Sequence, residues 1–217
     1  MTELVGPPVR APAITAIEPD PRRPGSVRIL VDGRSFATVD AEAAGGVEQG
    51  GVLEAQVGER LARAADVEAA YRTVLRALER RPHARADLGR RLLRRGLAAE
   101  AVEAALARAD RAGLLDDLAF ARHYVATRAE RGRGPARLAR DLMAMGVARS
   151  SIDLALAEQW PEEDDRRALP AALAAKRAAH LGGLARPVKR RRLLAFLARR
   201  GFTGREAIEA VNGALGC

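Results

Sequence analysis

Aromatic side chains make up only 3% of this 217-residue chain. A core built around stacked rings is therefore excluded, and it must come from Leu, Val and Ala. Ala and Leu are good helix formers, which points to a helical protein. Cysteine is nearly absent: Cys217, at the last position, is the only one. That rules out an intrachain disulfide and a thiolate metal cluster. The histidines, His83, His123 and His180, are scattered and lack carboxylate or Cys partners at ligand spacing, so no metal is expected. No phosphate-cradling Gly-x4-Gly-Lys-Ser/Thr loop is present, and no nucleophile–base set emerges. We therefore expect no catalytic residue, no cofactor and no enzyme. No signal peptide and no long apolar run is found, so the expected location is cytoplasmic, away from the membrane.

What is present is charge, unevenly placed. The formal net is +9 and apolar content, at 48%, suffices for a buried core. Residues 1–69 carry a net of −4, residues 70–160 a net of +7, and residues 161–217 a net of +6. Such a balance favours polyanions or acidic protein surfaces as partners. Lys176 and Lys189 are the only lysines. A GC-rich genome would explain the choice of Arg over Lys, but not the asymmetry.

The chain divides by pattern. Residues 1–12 are Pro-rich (Pro7, Pro8, Pro12) and read as a disordered N-terminus. Residues 13–66 read as a small β-rich domain. Val27, Ile29 and Val31 alternate, Asp32-Gly33 follows, and Phe36 and Val39 alternate again, a hairpin signal. A helical turn is expected near Ala41–Ala44, then a Gly-rich loop to Gly51. Helical spacing starts near Val57 and leads through Leu61 and Ala65 to Tyr71, Leu75 and Leu78.

Three copies of one unit follow, expected at 67–113, 114–162 and 163–217. In Leu88…Leu92…Gly96-Leu97 and Leu138…Leu142…Gly146-Val147, Leu stands eight and four residues before Gly. Val102 and Leu106 then lie six and ten residues after the first Gly, and Ile152 and Leu156 after the second. Leu193…Leu197…Gly201-Phe202 is the third copy, with Ile208 displaced by one residue. Leu at i, i+4 lays an apolar stripe along a helix. Gly supplies the positive φ that lets the chain reverse. Each unit is three short helices, and units of this size stack in quasi-linear arrays.

The run Gly113-Leu-Leu-Asp-Asp-Leu-Ala-Phe-Ala-Arg-His-Tyr-Val-Ala-Thr-Arg128, followed by Arg133-Gly134-Pro135 and the Leu138–Gly146 helix, resembles the central repeat of the RecX family of recombination regulators. The likeness covers roughly residues 70–216, and the sheet before it is similar to an N-terminal extension of some members. The resemblance implies a mainly α fold of tandem three-helix repeats in an elongated, curved array. It implies a monomer that binds in the groove of a RecA–DNA filament and inhibits filament extension, ATP hydrolysis and strand exchange. DNA, bound directly, is an implied second partner. Two departures stand out. Ala84 occupies the place of a usual Ser, losing an N-cap worth roughly 1 kcal/mol. The third repeat carries Gly182-Gly183, the insertion before Ile208 and the basic run Lys189–Arg192.

The candidate binding residues are cations on the second helices. Arg90 and Arg94, like Arg91 and Arg95, are four apart and form rows flanking the Leu stripe. Arg133, Arg137 and Arg140 hold the comparable part of repeat two; Lys189, Arg190, Arg191, Arg192, Arg199 and Arg200 hold that of repeat three. Arg suits paired contacts to carboxylate or phosphate. The plainer reading of the same residues is a solvated surface. Asp116 and Asp117 are expected to cap the helix starting near Leu118. Phe120 and Tyr124 are expected in the core, and Trp160 between repeats two and three. Glu162–Asp165, after Pro161, reads as a linker. Two other function classes fit the composition: a stand-alone DNA-binding module of helix-turn-helix character, and an interaction scaffold unrelated to recombination.

Overall fold

The structure, a computed structural model, describes residues 11–216. Cys217 and most of the segment expected to be disordered, residues 1–10, lie outside the described residues. Of the rest of that segment, the Pro12 carbonyl accepts a hydrogen bond from Leu53 N–H at 2.8 Å. The chain forms two compact units. One holds the described part of Met1–Arg81 together with Gly89–Leu114; the other holds Pro82–Leu88 and the described part from Leu115 onward. The mainly helical class, the tandem three-helix repetition and the small N-terminal sheet are all present.

The first unit opens with an antiparallel sheet in the order β1 (Ile14–Pro19), β2 (Ser26–Val31), β3 (Arg34–Asp40). Asp32 (φ +48) and Gly33 (φ +75) make the turn between β2 and β3. Both lie in the left-handed region that a type I′ hairpin needs, and that Asp and Gly tolerate. A 3-10 turn, Glu42–Ala44, follows. Ile14, Ile29, Ala37 and Val39 point to one face and pack on Leu61 of α1 (Ala55–Arg80). α1 runs straight through residue 66, where a boundary between sheet domain and first repeat was expected.

The reason lies in Glu68, a carboxylate on α1 that is 4% exposed. Ser26 Oγ of β2 donates to it at 2.9 Å. Arg108 Nη1, on α3 (Ala99–Arg111), donates to it at 3.0 Å. The same guanidinium pairs with Asp40 of β3 at 2.7 Å and lies over the Tyr71 ring at 4.0 Å. A buried charge needs such partners. Sheet, α1 and α3 are thus tied through one carboxylate. α2 (Arg85–Arg94) contributes its second half to this unit.

The second unit carries α4 (Asp117–Ala129), α5 (Pro135–Met145), α6 (Arg149–Gln159), α7 (Glu163–Ala179), α8 (Arg186–Arg200) and α9 (Arg205–Leu215). Phe120, Val125, Leu138, Leu142, Ile152 and Trp160 fill one core, against which Tyr124 and Leu169 of α7 pack. Leu193, Leu197, Phe202, Ala207 and Val211 fill another. This corrects the expected displacement at Ile208, which is 43% exposed. Ala207 and Val211 occupy the places six and ten residues after Gly201, in the register of the other repeats. A small residue at the first of them hid the match. Glu163–Asp165 are the first turn of α7 rather than a linker. Carboxylates there face the positive end of the helix dipole.

All three repeats end their second helix identically. Gly96, Gly146 and Gly201 have φ of +83, +85 and +94. The N–H of the apolar residue after each Gly returns to the carbonyl of the buried Leu: Leu97 to Leu92, Val147 to Leu142 and Phe202 to Leu197. This is the Schellman closure, in which an apolar contact accompanies the hydrogen bond.

Asp116 caps α4, accepting from the N–H groups of Leu118 and Ala119 at 2.9 Å. Asp117 does something else. Its carboxylate accepts from Arg85 N–H at 2.8 Å and so satisfies the first free N–H of α2, next to Ala84, which has no capping hydroxyl. Ala84 itself is buried in the core with Phe120. We predict that Asp117→Ala lowers stability by about 1 kcal/mol, and that Asp117→Asn, which keeps an acceptor oxygen, loses less. Urea unfolding of the two variants checks this; equal loss in both would contradict it.

Candidate functional site

On α2, Leu88 and Leu92 are buried, and Arg90, Arg91 and Arg94 are exposed, as is Arg95 just past its end. The expected rows flanking the stripe therefore face solvent. On α8, Leu193 and Leu197 anchor the helix, while Arg190, Arg191, Arg192 and Arg199 are exposed and Lys189 is half-buried. The three consecutive arginines pair with no carboxylate among the described residues.

Repeat two is arranged differently. Asp141, one turn beyond Arg137 on α5, draws in both Arg133 (2.9 Å) and Arg137 (3.0 Å). Tyr124 Oη donates to the same carboxylate at 3.3 Å. Two cations share one anion, so this cluster presents a reduced charge. Arg140 is exposed, and its Nε donates to the Ala136 carbonyl. Other arginines are held in pairs too. Arg122 of α4 grips Glu158 of α6 with bonds of 2.7 and 2.6 Å. That bond holds the Glu158 carboxyl below its ordinary range and the Arg122 guanidinium above its own. Arg205 is raised in the same way by Glu209.

Arg200 is turned inward. Its guanidinium lies 4.7 Å from the Phe196 ring centre and reaches the carbonyl of Gly132 at 3.4 Å. Here the α4–α5 loop meets the end of α8. Gly134 N–H donates to the Arg200 carbonyl at 2.7 Å, and Ala136 N–H to the Gly201 carbonyl at 3.2 Å. A Cβ on Gly134 would stand 2.7 Å from the Gly201 backbone. This close approach accounts for Arg-Gly-Pro: Gly134 lets the two backbones touch, and Pro135 starts α5 where no N–H is needed.

Residues 116–156, which span α4 to α6, match the RecX second three-helix domain. The regulatory protein RecX of Streptomyces coelicolor is 37% identical over 151 residues, covering 69% of this chain and 79% of that one. That of Halorhodospira halophila is 38% identical over 150 residues, covering 68% and 89%. The chain belongs to the RecX family. A RecX crystal structure overlays with a TM-score of 0.77 at 24% identity, covering 93% of this chain and 99% of the other. RecX from Lactobacillus salivarius overlays with a TM-score of 0.61 at 17% identity, covering 70% and 98%. These structures share the fold with this RecX-family chain. Among the described residues no helix is long and apolar enough to cross a membrane, and no three potential ligands group to hold a metal.

Sequence reasoning on this RecX-family chain missed three cations, Arg131, Lys176 and Arg177. They line a cleft of about 410 Å³ with Arg200. Lys176 and Arg177 do follow Leu169 and Leu173 at helical spacing, which would have placed them on one face of α7. Nothing in the sequence marks that face as lining a cleft.

Proposed function

We propose that this protein binds in the helical groove of a RecA–DNA filament and restrains filament extension, ATP hydrolysis and strand exchange, without catalysis of its own. One observation carries the reading: in a chain of this family, exposed arginines recur on the second helix of each repeat. On α2 and α8 these arginines stand on helices anchored by buried leucines, so their spacing is held by the fold. Arg makes paired, charge-assisted contacts to carboxylate and phosphate alike. A filament offers both, as acidic protein walls and as DNA. The protein acts as a monomer in the cytoplasm, bridging neighbouring filament subunits and resisting the movements that accompany ATP turnover. DNA is bound weakly and without sequence preference through the same cations.

Attraction of this kind weakens with salt. RecA-dependent ATPase on single-stranded DNA should fall as the protein is added at concentrations on the order of micromolar. The inhibition should lessen as salt rises. An unchanged ATPase rate, alongside a sequence-specific shift of bare DNA, would identify a stand-alone DNA-binding regulator.

A further inference from the structure

The α7–α8 cleft lies within the second unit and is walled on a third side by the end of α4. Its floor is apolar: Leu169 and Leu173 from α7 and Phe196 from α8. Its rim is cationic. Arg177 and Arg200 both lie over the Phe196 ring, at 5.8 and 4.7 Å, so two guanidinium groups crowd one aromatic side chain. Lys176 and Arg131 add two more charges. Glu130 is the one carboxylate of the lining. Among the described residues none of Arg131, Lys176 and Arg177 forms an ion pair with it or with any other acid. Four cations and one anion around a small cavity repel each other, a cost that an anionic ligand would relieve.

We propose that this cleft is a binding site for a free nucleoside phosphate. Arg131, Lys176, Arg177 and Arg200 face the phosphates, and the base rests on Leu169 and Leu173. Three features select this class. The volume lies in the range of small-ligand sites, about 300–1,000 Å³, and is too small for a folded partner. The number of cations suits two or three phosphate groups, where a single carboxylate needs only one Arg. The floor provides apolar area that an inorganic anion would leave uncovered. Arg200 is already pinned to the Gly132 carbonyl, and His180 Nδ1 donates to the Lys176 carbonyl at 2.8 Å. These bonds hold the α4 and α7 walls of the cleft in place before any ligand arrives.

The test uses the full chain without RecA, so its outcome is independent of the filament reading. Calorimetric titration with ADP and ATP at physiological salt should show saturable binding. Lys176→Ala/Arg177→Ala, at exposed positions, should weaken it about tenfold or more, as expected for lost charge-assisted bonds. Arg34→Ala/Arg63→Ala, exposed and outside the cleft, should bind as the parent does. Circular dichroism verifies that each variant is folded. No binding at millimolar nucleotide, or binding that survives the cleft variant, would overturn the proposal. So would pyrophosphate binding as tightly as ADP, since the floor would then read nothing. Binding of a single-stranded oligonucleotide but not of mononucleotides would do the same, and assign the cleft to a strand.

Discussion

Gly201→Ala should destabilise the second unit by about 3–5 kcal/mol, the largest loss we expect from adding one methyl group. Two effects combine. At φ +94 an L side chain meets its own carbonyl oxygen, a strain of about 1–2 kcal/mol. The new Cβ would also collide with the Cβ and backbone nitrogen of Arg137, and neither is the free end of a flexible chain. The α4–α5 loop must then draw back from α8, and the hydrogen bonds of Gly134 and Ala136 to that helix end go with it. Gly96→Ala is the control. It carries similar strain at φ +83, but its Cβ would meet nothing within 4 Å. It should cost only about 1 kcal/mol. The comparison by urea unfolding therefore separates left-handed conformation from backbone contact. Equal losses at the two glycines would show that the loop yields freely.

Reversing the charge of Arg190, Arg191 and Arg192 together to Glu should abolish inhibition of RecA, weakening filament binding about 100-fold or more, since like charges brought together at an interface cost several kcal/mol. These three are the strongest choice because their charge is not offset. Arg133 and Arg137 already share Asp141, so Arg133→Ala and Arg137→Ala should have smaller effects on binding. The α8 variant should fold normally, since Leu193 and Leu197 hold the helix from its other face. Co-sedimentation with RecA filaments at several salt concentrations reads the effect directly. Binding should lose salt dependence along with affinity. Retained affinity and an unchanged salt response would place the filament contact elsewhere on the chain.

The repeat was legible because its signal is steric. Leu at i, i+4 and a Gly that must adopt positive φ leave the same spacing three times, and Leu142 and Leu197 take corresponding places in the structure. The hairpin was legible for the same kind of reason, through Asp32-Gly33. What could not be read depends on residues distant in sequence. Nothing near Asp117 tells that it serves Arg85, 32 positions earlier, instead of its own helix. Ile208 misleads because it is the more hydrophobic of the two neighbours, while the buried place belongs to the smaller Ala207. The basic residues were easy to list and hard to sort. Spacing identifies which arginines share a face, but only the folded chain shows that Asp141 claims two of them and that Arg200 turns inward.

The Glu68–Arg108 junction bears on how such a chain can be shortened. Removing the sheet would take away Ser26 and Asp40, leaving Glu68 with one partner and Arg108 short of an acid. The sheet is thus not a detachable appendage. A lineage that discarded it would leave Glu68 and Arg108 bonded to each other alone, and would need new polar partners for the freed carboxylate oxygen and guanidinium arm.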